Sequence, residues 1–212
     1  MLRCLLLLFV LSAARATVID RLAITVGQQV ITEQQLDEEL CVTAFLNHEK
    51  ITHTVESRRA AADRLVQQLL VKREMELSRY PLPDDEDVNK YLAEVRESLG
   101  APASFAQALI RYDLTEPMLK EHLALQLTTL RFIEFRFRPN VGISDSDIEA
   151  SYGREVAGWQ ANHPGATPPS LAVSRESIRK ALLEEHTDQV LNTWLEETRK
   201  QVSIIYLDKT IR

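Results

Sequence analysis

Two β-prone segments lie far apart in this chain, and the residues between them carry the periodicity of helices. In residues 22–26, apolar side chains alternate with Ala and Thr, which is the pattern of a strand. A turn at Gly27 and a brief return at residues 30–31 follow. Residues 202–207 are also β-prone, but they follow directly on a helical pattern and have no neighbouring strand in sequence. Their natural partner is therefore residues 22–26, and the sequence predicts a mostly α-helical fold closed by a small antiparallel β pairing of N- and C-terminal strands.

Helices are predicted wherever apolar side chains recur every three or four residues behind a capping residue. The expected helices are one opened by Thr32 with Gln35, one over about 55–79, one from Asp84 to Gly100, one capped by Ser104 and running to Tyr112, one over 116–138 capped by Thr115, a short one from Ser144 to about Tyr152, and a last one from Ser174 or Ser177 to about Gln201. Several of these helix starts place Gln or Asp three residues after the cap, which is the pattern of a capping box.

The fifth predicted helix is apolar around much of its circumference. A leucine stripe runs from Leu119 to Leu130, and further apolar side chains between Met118 and Phe135 fall on other faces. Such a helix is either surrounded by its own domain or leaves one face for a partner. We favour burial, because helices with a wide apolar surface are usually enclosed.

The first residues have the three parts of a cleavable secretory signal peptide, residues 1–16. These parts are a basic start, the apolar run 5–11 and an Ala-x-Ala ending at Ala16. A membrane anchor needs about 20 apolar residues, whereas this run is interrupted by Ser12 and Arg15. We therefore expect an exported protein with no integral membrane segment after cleavage.

The net charge and the cysteine content limit which partners this chain can bind and what can hold its fold together. Cleavage after Ala16 removes two of the 25 basic residues, which leaves 23 against 31 acidic ones and changes the net charge from −6 to −8. This negative charge argues against nucleic acid as a partner, because its binding needs a basic face. Cys41 becomes the only cysteine, so no internal disulfide forms and an apolar core must hold the fold.

No known catalytic or metal-binding pattern is present in the sequence. His48 and His53 lie near Glu49 in a predicted loop, but a metal needs three or four converging ligands, and solvated histidines are expected there. His122 and His186 are predicted on helix surfaces. The acidic run that begins at Asp84 is explained by the dipole of the helix it opens. The sequence therefore predicts no catalytic residue, no metal and no cofactor.

Glycine and proline are concentrated late in the chain, where residues 153–173 are predicted to be a linker or long surface loop. Residues 17–152 are then the main folded core. Residues 174–212 are the final helix and strand that complete it.

The order of these elements resembles the SurA-type periplasmic folding factors and their parvulin-bearing relatives. The matching segments are Asp20 to Gly27 with Val30 to Glu33 and Leu36-Asp37, Ser104-Phe105 to Tyr112 with Leu114 to Glu116, Ile143 to Tyr152, and Ile178 to Leu207 with Trp194-Leu195 and Arg199-Lys200. One departure is Asp113, where relatives often turn on glycine. The resemblance implies a SurA N-domain-like chaperone core formed by both ends of the chain.

The larger departure from the resemblance is the missing isomerase domain. In the family, parvulin-type prolyl isomerase domains stand between the short sixth helix and the closing helix, where this chain has only residues 153–173. An independent domain needs about 50 residues or more. The isomerase activity is therefore not carried over, and we expect a protein that is not an enzyme.

The resemblance implies a periplasmic, ATP-independent holdase for unfolded or partly folded client proteins, especially outer-membrane protein precursors. Candidate client-binding residues are Phe105, Leu109, Met118, Leu125 and Phe132. One alternative is a structural or adaptor subunit, an oligomer or one half of a complex, whose apolar face is a permanent interface. A second is a reduced prolyl isomerase, which a tetrapeptide isomerisation assay would reveal.

Overall fold

The computed structural model of the chain describes residues 20–163 and 165–211. The predicted signal peptide, residues 1–16, lies outside the described residues. The described part is mostly α-helical with a small antiparallel sheet, as the sequence predicts. Its elements are β1 (Leu22–Val26), β2 (Gln29–Thr32), α1 (Glu33–Asn47), α2 (Val55–Leu77), α3 (Asp85–Ser98), α4 (Pro102–Arg111), α5 (Glu116–Arg136), α6 (Asp145–Asn162), α7 (Leu171–Gln201) and β3 (Ile204–Tyr206), with short 3-10 turns at Arg138–Asn140 and Lys209–Ile211.

The sheet joins the two distant β-prone segments. Its order is β2-β1-β3, and both neighbours run antiparallel to β1. Thr25 lies opposite Val30 on one side and opposite Ile205 on the other. Gly27 turns the chain into β2 with a φ of 61°, a conformation that favours glycine, and its N–H donates to the Ser203 carbonyl at 2.8 Å. The predicted pairing of the first and last strands is confirmed.

Capping residues begin most helices where the sequence predicts them. At the start of α1, the Thr32 hydroxyl accepts from the Gln35 N–H at 3.2 Å, and the Gln35 side chain accepts from the Thr32 N–H at 3.0 Å. Thr115 caps α5 in the same way through its hydroxyl. These bonds satisfy amides that have no partner within the first turn of a helix.

The start of α4 differs from the prediction. This helix begins at Pro102, after Ala101, so the predicted cap Ser104 lies inside the first turn. The Ala101 side chain makes no capping hydrogen bond. Proline at the start of a helix explains the difference, because its φ is already helical and its missing N–H is not needed there.

Three apolar clusters hold the helices together. The first lies beneath the sheet and joins it to α1, α2, the end of α5 and the C-terminal half of α7. Its fully buried large side chains are Ile24, Ile31, Leu36, Leu70, Met75, Phe132 and Ile211. The second joins the C-terminal half of α1 to α3, α4 and the N-terminal half of α5. The third joins α6 to α7 through Ile148, Ile178 and Leu182.

The predicted linker over residues 153–173 is largely helical. Helix α6 does not end near Tyr152 but continues to Asn162, and α7 begins at Leu171, before the predicted Ser174. Gly153 and Gly158 lie within α6 and have open space around them. Glycine weakens a helix without ending it. The packing of Ile148 and Tyr152 of α6 on α7 anchors α6 directly before this stretch, and Leu171 belongs to the same cluster at its other end.

No helix within the described residues is both long and apolar enough to cross a membrane.

Candidate functional site

Three of the five predicted client-binding residues are core residues. Phe105 and Leu109 are 7% and 9% exposed, and Phe132 is fully buried. The Phe105 ring packs edge-on against Phe45, with centroids 6.3 Å apart, and the Phe132 ring lies 4.7 Å from the ring of Trp194. These three positions are therefore corrected to core, because α1 and α7 cover side chains that the sequence pattern alone leaves free.

One face of α5 remains partly open. The predicted contact residue Met118 is half-buried on this face, and Leu125 is half-buried beside it. Side chains on this face recur every three or four residues, so they form one row along the helix. We call this row the α5 stripe: Met118, His122, Gln126, Thr129, Leu130 and Ile133. The stripe lines three successive concavities. Its first residue lines one beside the first turns of α1. Its middle residues line one between α1, α2 and α5, and its last residue lines one between α5 and α7.

The middle concavity, which we call the central groove, has a volume of about 510 Å³. Helices α1, α2 and α5 form its walls. Its apolar lining comes from Val42 and Leu46 of α1 and from Leu130 of α5. Leu130 is 47% exposed, so the groove presents an apolar surface to solvent.

A buried ionic cluster lines the same groove. One Glu39 carboxylate oxygen accepts from Arg64 Nε at 2.6 Å and from the Thr43 hydroxyl at 3.2 Å, and the other lies 3.1 Å from Nδ1 of His122. The side chains of Glu39 and His122 are 5% and 10% exposed. The cluster therefore ties α1, α2 and α5 to one another. The prediction that His122 lies on a helix surface is wrong, because α1 covers it.

The Glu39 carboxylate is ionised at neutral pH. Burial raises its pKa, since water no longer solvates the charge. Hydrogen bonds from His122 and Arg64 act in the opposite direction and prevail, so the pKa of Glu39 lies below its ordinary value. The negative charge of Glu39 is thus offset locally by the guanidinium of Arg64.

Three glutamine side chains also line the groove. Gln67 and Gln68 come from α2, and Gln126 comes from α5. The Oε1 atom of Gln68 is buried and has no hydrogen-bond partner among the described residues. A buried acceptor without a partner costs free energy, which a donor entering the groove would recover.

A second apolar surface lies on the sheet. Val30 and Ile205 are 46% and 53% exposed, and they flank Thr25 on the solvent side of the sheet because both pair with it. Leu207 is also exposed, two residues beyond Ile205. We call Val30, Ile205 and Leu207 the sheet patch. It is separate from the central groove, whose walls are helical.

The described residues assemble no metal centre. No group of three or more His, Cys, Asp or Glu side chains in residues 20–163 and 165–211 could hold a metal ion. His53 lies on the surface, with Nδ1 3.8 Å from a carboxylate oxygen of Asp37. In the buried cluster, the hydroxyl of Thr43 donates its proton to Glu39 and not to His122.

In the described part of the chain, the central groove thus combines an apolar lining, half-buried glutamine side chains and an ionic cluster in which Glu39 is paired with Arg64 and His122. Neither a scan against protein-family models nor a search of curated proteins finds a match to this chain.

Proposed function

We propose that this protein is an ATP-independent holdase chaperone of the periplasm that binds unfolded exported proteins, especially outer-membrane protein precursors. The observation that supports this function best is the central groove, whose apolar walls and adaptable amide side chains lie together on one concave surface. Apolar walls can bury the side chains of many clients, and flexible polar contacts permit promiscuous binding. The resemblance to SurA-type factors supplies the client class.

The aggregation of an unfolded client tests this function directly. Mature protein, from Thr17 onward, is mixed in modest molar excess with a denatured outer-membrane protein that is then diluted out of urea, with no nucleotide present. We expect light scattering by the client to rise more slowly and to a lower plateau. Unchanged aggregation over a range of protein concentrations would contradict the proposal.

A matched pair of variants tests whether the groove carries the activity. Leu130→Glu places a charge at the groove, whereas Leu77→Glu places one at the exposed end of α2. Both leucines are exposed, so neither change should unfold the protein. We expect Leu130→Glu to lose much of the protection against aggregation and Leu77→Glu to retain it. Equal loss in both variants would mean that the groove is not the binding surface.

The proposed compartment rests on the signal-peptide pattern of residues 1–16. Expressed in a Gram-negative host, the protein should appear in the osmotic-shock fraction with a mass that begins at Thr17. An unprocessed chain that remains in the cytoplasm would contradict periplasmic export while leaving the chaperone proposal open to the aggregation assay.

A structural or adaptor subunit is the second candidate, and the exposed sheet patch favours it. A permanent partner, or a second copy, would cover Val30, Ile205 and Leu207. Light scattering at several concentrations separates the two candidates. A stable dimer that fails to protect clients favours the adaptor, and a monomer that protects them favours the holdase.

A further inference from the structure

We propose that the central groove binds the main chain of an extended client segment, with Gln67, Gln68 and Gln126 hydrogen-bonding to its peptide groups. This inference rests on the proposed holdase function and specifies what the groove recognises. Client side chains would lie against Val42, Leu46 and Leu130 without being selected individually. The groove would therefore bind unfolded segments irrespective of their sequence.

The chemistry of glutamine supports a peptide group as the occupant. A primary amide offers both a donor and an acceptor, which are the two groups that each peptide unit needs to satisfy. The side chains of Gln67 and Gln126 make no hydrogen bond within the described residues, and they reach the groove from two different helices. An extended segment between them presents N–H and C=O groups along both of its edges, so both walls can bond to it.

Gln68 gives the sharpest indication of a missing donor. Its Oε1 atom is buried without a partner, although the Gln68 side chain lines an open groove. A rotation of the Gln68 amide that turns Oε1 into the groove would let an incoming N–H satisfy this acceptor, whereas a purely apolar ligand would leave it unpaired. The Arg64 guanidinium is no competitor for this role, because it is already bound to Glu39 and Thr43.

The charges that line the groove also favour a neutral occupant. Glu39 and Arg64, which line the groove together with the imidazole of His122, form an ion pair with each other. Their opposite charges therefore offset each other at the groove. A main-chain segment is uncharged, so it loses less solvation on entering than a charged side chain would.

Binding of a synthetic peptide tests the proposal without changing the protein. The probe is an uncharged peptide of about ten residues, the length of one strand of an outer-membrane barrel. It carries a neutral fluorescent dye, and its dissociation constant is measured by anisotropy. A shuffled sequence should bind within about 3-fold of the parent. Replacing alternate amides by esters removes N–H donors at nearly constant shape, and it should weaken binding by about 5-fold or more. Equal binding of the ester peptide, or strong dependence on sequence order, would overturn the proposal.

Glutamine variants provide the complementary test. Gln68→Leu should weaken binding of the peptide by about 5-fold, and the double variant Gln68→Leu, Gln126→Leu should weaken it by about 10-fold or more. Gln189→Leu on α7 is the control, since this exposed amide bonds only to Glu185. The thermal midpoint of Gln68→Leu should be unchanged or higher, because an unpaired buried acceptor is removed. Lower affinity with intact stability would then assign the loss to recognition, and unchanged affinity would overturn the assignment.

The aggregation assay distinguishes the failure of this inference from the failure of the proposed function. If the double variant binds the peptide and protects clients as well as the wild type does, the proposed main-chain site is wrong but the holdase proposal is retained. If the wild type neither binds the peptide nor protects clients, both proposals are wrong.

Discussion

At the scale of single residues, Glu39 is the carboxylate that the described structure removes most completely from water. An ionised carboxylate is costly to bury unless donors surround it. Here Arg64, His122 and Thr43 supply three hydrogen bonds from three helices. Glu39 therefore fixes the positions of the groove walls as well as lining the groove.

Replacement of Glu39 should destabilise the protein measurably. Glu39→Gln leaves Arg64 and His122 without their anion, and we expect the free energy of unfolding at pH 7 to fall by about 2–3 kcal/mol. This is less than the usual cost of breaking a buried pair, because Arg64 reaches water. Urea denaturation provides the measurement. Glu38→Gln on the same helix is the control and should change stability by less than about 0.5 kcal/mol.

The difference between the wild type and Glu39→Gln should also depend on pH. The pKa of Glu39 is lower in the folded protein than in the unfolded chain, where it is about 4.3. Its contribution to stability is therefore present in full above that value and is lost as the pH falls through the folded pKa. Urea titrations between pH 6 and pH 3 should show the gap between the two proteins closing below about pH 4.3. A gap that widens with acidity would be inconsistent with an ionised, stabilising Glu39.

The residues of the site were mostly beyond prediction from sequence. Glu39 and His122 stand 83 positions apart on different helices, and no local pattern indicates that they meet. Met118 was chosen for its apolar character and does lie on the open face of α5. Phe132 is predicted for the same reason but is buried, because the periodicity of a helix that is apolar all round does not tell which of its faces a neighbour covers. Phe105, on α4, is buried by its contact with Phe45 of α1, which is also distant in sequence.

At the scale of elements, the two glycines of α6 explain why a linker was predicted where a helix forms. Glycine and proline clusters usually mark loops. However, glycine weakens a helix without ending it, and the packing of Ile148 and Tyr152 on α7 anchors α6 directly before Gly153. Tertiary contacts of this kind are not visible in a local sequence window.

Alanine substitutions at two glycines should have opposite effects on stability. Gly153→Ala lies in regular helix, and it should raise the free energy of unfolding by about 0.5–1 kcal/mol. Gly100 follows α3 at a φ of 83°, and Gly100→Ala should lower the free energy of unfolding by about 1 kcal/mol. Neither added methyl group would meet another atom within 4 Å, so the backbone alone sets the sign. Chemical denaturation of the two variants measures both effects, and the same sign in both would contradict this account.

Other elements were predictable because their signals are local or topological. The capping boxes at Thr32, Asp84 and Ser144 fix three helix starts through bonds between residues three apart. The pairing of β1 with β3 followed from exclusion, since a strand after α7 had no sequence neighbour to pair with.

At the scale of the whole molecule, the last turn of the chain closes the main core. Ile211 is 1% exposed and packs into the cluster beneath the sheet, and its 3-10 turn contacts α2. The C-terminal residues are therefore a structural part of the body that carries the groove.

Truncation of one side chain in this turn should show how much it contributes. Ile211→Ala is expected to lower the free energy of unfolding by about 3 kcal/mol, because it leaves a cavity in a closely packed core. Leu207→Ala, at a half-exposed position in the same segment, should cost less than about 1 kcal/mol. Equilibrium denaturation distinguishes the two. Similar small costs would mean that the C-terminal segment is not integral to the fold.

The antiparallel partnership of β1 with β3 also sets an order of assembly in time. In a chain that emerges with its N-terminus first, β2 becomes available to β1 almost at once. β3 follows only after nearly all of the helices. During that interval β1 has one unpaired edge, which is a site for unwanted strand pairing. A protein proposed to shield unfolded segments of others thus itself passes through a stage with an unprotected strand.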